Sequence, residues 1–177
     1  YVLSESLINE ITALVESPQV QGYSAPFRYC VNGSPLRATL LPPRTVLYQR
    51  TAAKYHNEGH GHRVEIGGTI RDLSGNILHD DRKPLRRWLE TQLSYAELES
   101  RHLKRTPNSL LNLQDRIRKL ILPAPFLVFG YTLVAQLLIF DGWRGWFYAF
   151  QRMFAEILLS LNLLQSHLLL KSQQPKR

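Results

Sequence analysis

The chain has 177 residues, 44% of them hydrophobic, which is enough for one domain with a real core; its formal net charge is +8 and its pI is near 9.9. The single cysteine, Cys30, excludes an internal disulfide framework and fits a reducing compartment or a cytoplasmic face. A positive balance of this size answers alike to nucleic acid, anionic lipid or a phosphorylated substrate, but the aromatic residues are not interleaved with the basic ones as a nucleic-acid interface requires, so nucleic acid is not an expected partner.

The chain opens on Tyr1 without a methionine and without the basic, apolar and small-residue layout of a signal peptide, and it is expected to be a fragment. Ser4 predicts the N-cap of a first helix whose Leu7, Ile8, Ile11, Leu14 and Val15 share a face, ended by Pro18. Short strands are predicted at 27–31, 36–41 and 45–49, with a turn at Asn32-Gly33 and a break at Pro42-Pro43. Three more follow at 63–66, 69–73 and 77–80, divided by Gly67-Gly68 and Ser74-Gly75-Asn76. Pro84 then suits the first turn of a helix carrying Leu85, Trp88, Leu89, Leu93, Ala96 and Leu103 on one side. A second amphipathic helix is expected from Ser109 to Leu122, suited either to a membrane interface or to a protein core.

From Leu120 to Phe140 the sequence carries no charge and is long enough to cross a bilayer, although Pro123, Pro125, Thr132 and Gln136 interrupt it. The turn Asp141-Gly142-Trp143-Arg144-Gly145 leads into a second mostly apolar helix, 146–170, where Arg152 and Glu156 stand one turn apart and can pair. Lys and Arg gather before the apolar block and again at Lys171, Lys176 and Arg177, as the positive-inside rule describes. The fold class expected is α+β: short strands with flanking helices over 1–105, then a hydrophobic helical pair over 106–177 that spans the membrane or lies in one leaflet at its cytoplasmic face.

Chemistry concentrates in His79-Asp80-Asp81-Arg82-Lys83. On a strand His79 and Asp81 would share one face and Asp80 the other, so an imidazole and a carboxylate could hold a cation or move a proton; the aspartates could equally serve as helix-start charges. A second histidine group, His56, His60 and His62, could hold a metal or form a polar loop. No phosphate-cradling glycine loop and no serine nucleophile elbow is present.

An ordered series of segments resembles the C-terminal half of a membrane-associated family 2 glycosyltransferase of the cell-envelope or lipopolysaccharide-core type. The helix 3–11 resembles the one that follows the family's metal-binding Asp motif, and Pro42 to Arg50 resembles its Pro, strand and basic-residue segment. Leu73-Ser74-Gly75-Asn76-Ile77-Leu78-His79 has the family's Leu, Gly and His spacing. Tyr95 with Glu97 or Glu99 matches the following helix, and Asp141 to Gly145 matches the turn between terminal apolar helices.

The resemblance implies a GT-A scaffold that transfers sugar from a nucleotide-sugar donor to a glycan or lipid-linked acceptor, assisted by Mg or Mn. It assigns His79 to the metal or the donor diphosphate, Arg82 and Lys83 to phosphate, and the acceptor base to Asp81, Asp80 or His62. The nucleotide-binding half would precede Tyr1, so the chain alone is expected to be inactive. Gly61-His62 stands where relatives often place His-Glu, and Arg44 where they often have Asp. The alternative is a non-enzymatic, basic, membrane-associated adaptor.

Overall fold

The computed structural model describes residues 1–14, 19–58 and 61–172, with side chains except at 56–58, 61–63 and 170–172. Two compact units follow one another, Tyr1–Arg82 and Lys83–Arg177, so the division falls ahead of the long amphipathic helix, whose end is the boundary expected at 105. The protein is α+β, with sheets that mix parallel and antiparallel pairing and five α-helices among the described residues.

In the first unit, β1 (Val2–Leu3) leads into α1 (Glu5–Thr12), capped as expected by Ser4, whose Oγ accepts from the Leu7 amide. Strands β2 (Val20–Ala25) and β3 (Phe27–Val31) are divided by Pro26, where the chain passes from one sheet to another. Further along, β8 (Thr69–Asp72) runs parallel to β2, and β9 (Ile77–Asp80) runs parallel to β3. The core between α1 and these strands is Leu7, Ala25, Leu73 and Ile77, flanked by Ile11, Tyr23 and Phe27.

Asn32 and Gly33 both take positive φ and turn β3 back into β4, which is only Ser34–Pro35. The strand expected over 36–41 does not form. Leu36 makes one further bond to Tyr29 and is buried, after which Thr39 turns the chain through its hydroxyl to the Leu41 amide, and two prolines remove the next donors. β5 (Arg44–Tyr48) pairs with β2, while β6 (Ala53–Glu58) and β7 (Gly61–Ile66) make a separate hairpin.

In the second unit, α2 (Leu85–Arg105) has Pro84 as its N-cap, one place ahead of the first turn, and buries Ala96, Ser100 and Leu103. It packs on α5 (Trp143–Ser172), sharing a core of Ala96, Leu103, Leu111, Leu159 and Leu163. The helix expected over 109–122 is a 3-10 turn, Asn108–Leu110, followed by α3 (Leu113–Lys119), because Asn112 breaks in and caps α3 through the Asp115 amide.

The hydrophobic helical pair expected after residue 120 is not formed by the Leu120–Phe140 block. Ile121 adopts φ 68, Pro123 starts α4 (Pro123–Gly130), a π turn follows at Tyr131–Ala135, and Leu137 at φ 57 ends the run. No helix of the described residues is long and apolar enough to cross a membrane. A β-branched residue in the left-handed region costs roughly 1–2 kcal/mol; Ile121 is held there by Ser160, whose hydroxyl donates to its carbonyl at 2.8 Å, and by packing on the α2–α5 core.

The expected Arg152–Glu156 pair is replaced by a cross-helix one. Glu156, 3% exposed, takes Arg118 at 2.7 Å, while Arg152 Nε is buried without a hydrogen-bond partner. Glu99 and Asp115 complete the surroundings of Arg118 at 3.3 and 3.4 Å. Burial disfavours the Arg118 charge, but hydrogen bonds and charge from Glu156, then Glu99 and Asp115, outweigh it and raise its pKa.

Two motif glycines sit where a side chain cannot. A Cβ at Gly75 would strike the backbone of Leu7, and one at Gly145 would strike the Leu138 carbonyl, whereas Gly130 has nothing within 4 Å. Gly75→Ala is therefore expected to lower stability by about 2 kcal/mol or more and Gly130→Ala by nothing measurable, checked by denaturant unfolding. Glu156→Ala removes the shortest of the three carboxylate contacts to Arg118 and should cost roughly 1.5–3 kcal/mol in the same measurement.

Candidate functional site

The candidate cluster lies at the carboxyl end of β9, beside the parallel strand β3. Its position is fixed by α1. The Glu10 carboxylate accepts from the amides of Ser74 (3.0 Å) and Gly75 (2.9 Å) and from the Ser74 hydroxyl (3.2 Å). Ser4 works from the other end of the helix: its Oγ accepts from the Asn76 amide, and its own amide donates to the Asn76 carbonyl. The turn Ser74–Asn76 is thereby gripped on both sides just before β9 begins. The Gly75 amide first, then Ser74, holds the Glu10 carboxyl below its ordinary pKa.

His79 is opposite Tyr29 in the parallel register and its ring lies against two tyrosines, with centroids 4.5 Å from Tyr1 and 5.3 Å from Tyr29. Asp80, opposite Cys30, receives the Arg82 Nε at 2.7 Å on Oδ2, while its Oδ1 is buried with no hydrogen-bond partner. Burial first, and then the Asp80 charge, push the Cys30 thiol pKa up, so this cysteine is a poor nucleophile.

The strand stops at Asp80. Asp81 follows it half-buried, and the strict alternation that would pair His79 with Asp81 on one face does not extend that far. Arg82 is largely exposed, 68%, with Nη2 over the Gly33 turn; Lys83 begins the second unit. The helix-start role for the aspartates finds no support in α2, whose first turn holds no acidic residue.

The backbone of His62 is on β7 opposite Asn57, in a sheet other than that of β9, and its side chain lies outside the described residues. His56 is on β6 with its side chain likewise outside them, and His60 lies outside altogether, so the polar loop expected there is in part a β-hairpin. The cluster therefore brings together Asp80 and Arg82 directly and places His79 beside them on the same strand end.

These residues do not make a metal centre on their own. No three His, Cys, Asp or Glu side chains converge among the described residues, and Arg82 already neutralises Asp80, so a second cation beside it would meet repulsion. What the arrangement offers is an aromatic-walled imidazole and a carboxylate–guanidinium pair at the end of parallel strands.

The Ser4 cap has a local sequence signal, whereas the Glu10 clamp has none, because a carboxylate that reaches across 64 positions leaves no periodic pattern. No family model, curated protein or solved structure matches the chain.

The Glu10 clamp has a pH signature. A carboxyl whose pKa is depressed on folding adds stability that is full above its ordinary pKa and is lost as pH falls through the lowered value. Glu10→Gln should therefore destabilise the chain at neutral pH, and the difference in unfolding midpoint from the parent should close as the pH falls through the lowered pKa of Glu10.

Proposed function

We propose that this chain is the C-terminal portion of a membrane-associated family 2 glycosyltransferase of GT-A type, inactive alone, which in its intact form transfers sugar from a nucleotide-sugar donor to a glycan or lipid-linked acceptor at the cytoplasmic face. The observation that carries this reading is the location of the Leu73–His79 motif. It folds as a clamped turn and a strand that delivers His79, Asp80 and Arg82 to the carboxyl end of parallel strands, where α/β sheets bind their ligands.

In the intact enzyme the acceptor hydroxyl attacks the anomeric carbon; the new carbon–oxygen bond forms as the bond to the donor phosphate breaks, and the nucleoside diphosphate leaves with the electron pair. Asp81, Asp80 or His62 takes the acceptor proton. Arg82 and Lys83 offset the charge that builds on the diphosphate, and His79, braced by Tyr1 and Tyr29, faces the donor. The divalent metal expected of this class would need ligands beyond the described residues.

A basic, membrane-bound adaptor is the second reading, favoured by the exposed apolar residues of the helical unit, among them Phe126, Phe140 and Trp143. It predicts vesicle binding with no nucleotide-sugar turnover by the intact protein. In the transferase, Asp81→Ala should lower kcat by about a hundredfold or more, and His79→Ala should lower it as well. Unchanged sugar-transfer rates in both variants of the full-length protein would remove the cluster from the chemistry.

A further inference from the structure

The helical unit carries a feature that the transferase reading does not use. Between the 3-10 turn Asn108–Leu110 and α3 lies an open depression of about 450 Å³ lined by Asn108, Ser109, Arg116, Lys119 and Leu120. Among the described residues, two cations line it and no carboxylate does. The nearest acid in sequence, Asp115, is turned to Arg118.

The donors are partly fixed in advance. Lys119 Nζ donates to the Thr106 carbonyl and, at 2.7 Å, to Asn108 Oδ1, which uses two of its three N–H bonds and commits Asn108 to presenting its amine elsewhere. Arg116 is held through Nε by the Leu111 carbonyl at 3.0 Å, and neither of its Nη amines has a protein acceptor among the described residues. With the Ser109 hydroxyl, the depression is rich in donors and poor in acceptors, which suits the tetrahedral oxygens of a phosphate.

The one apolar residue among its lining, Leu120, opens a run of exposed apolar side chains along the sequence. Leu120 is 65% exposed and is followed by Leu122 and Phe126, each 73% exposed, at the entry to α4. A phosphate held beside exposed leucine and phenylalanine side chains is the combination an anionic phospholipid presents at the headgroup boundary.

We propose that Arg116 and Lys119, with Asn108 and Ser109, form a binding site for the headgroup phosphate of an anionic phospholipid, seated as Leu120, Leu122 and Phe126 enter the acyl boundary of one leaflet. The site rests on the membrane-associated part of the reading above and specifies the lipid chemistry that anchors it. It makes the second unit a one-leaflet device rather than a spanning one.

Co-sedimentation of the 177-residue chain with vesicles of phosphatidylcholine, with and without phosphatidylglycerol, tests it. The parent should prefer the anionic vesicles. Arg116→Gln with Lys119→Gln should weaken binding to them by roughly 30-fold, about fivefold per cation, while binding to phosphatidylcholine alone is retained. Arg86→Gln with Arg101→Gln removes the same charge from exposed pairs on α2 and should have a far smaller effect. Arg116→Lys with Lys119→Arg keeps the charge and should keep the preference, which separates lost binding from lost folding.

Equal losses in the two charge-removing variants, or an undiminished preference in the first, would overturn the site and leave membrane association standing. Displacement of the anionic vesicles by inorganic phosphate at constant ionic strength would overturn the lipid assignment in favour of a free-phosphate site. Failure of the parent to bind either vesicle would overturn both the site and the membrane association on which it rests.

Discussion

The Glu10 carboxylate, gripping the amides of Ser74 and Gly75, is the interaction on which the first unit turns. Backbone N–H groups at a tight turn need acceptors, and a carboxylate supplies the strongest available. By meeting that need from α1, the chain joins its first helix to a turn more than sixty residues later. The close approach that results leaves no space for a side chain at Gly75, and β9 departs from the turn in register with both β1 and β3. The placement of His79 and Asp80 depends on that register, since a slip of one residue would exchange the faces on which they lie.

The second unit depends on a different constraint. Arg118 sits between helices with Glu156, Glu99 and Asp115 around it, and a guanidinium can be largely buried there only because its donors are satisfied by carboxylates. The pair between Arg118 and Glu156 ties α3 to α5, and Ser160 one turn further on holds the strained Ile121 carbonyl. Together they force the chain to reverse at Ile121 and Leu122, which is why the apolar block beyond cannot simply extend α3. The same reversal leaves Leu120, Leu122 and Phe126 exposed.

Local signals were legible in the sequence. The Ser4 cap, the Asn32-Gly33 turn, the strand at Ile77–Asp80 and the amphipathic helix from Leu85 are each set by residues within a few positions of one another. What was missed depends on distant partners. Strands β2 and β6 carry polar residues and little alternation, and they exist because β5, β8 and β7 pair with them. Glu156 had a cation one turn away on its own helix, yet Arg118 from α3 offered a bidentate approach that Arg152 does not make. The uncharged stretch 120–140 met the length requirement of a spanning helix, but its left-handed residues and π turn follow from packing on α5, which hydropathy does not see.

In the proposed transferase, the strand end supplies half of a site. Its imidazole is braced and its carboxylate neutralised, and no three His, Cys, Asp or Glu side chains converge among the described residues. The transferase reading requires a metal centre and a nucleotide pocket to come from sequence outside this chain. The most direct measurement is titration of the 177-residue chain and of the intact protein with a nucleotide sugar and Mn, followed by NMR of the His79 ring and by calorimetry. The proposed function predicts no saturable binding to the chain alone and saturable binding, with turnover, for the intact protein. Tight donor binding by the chain alone, or none by the intact protein, would contradict it.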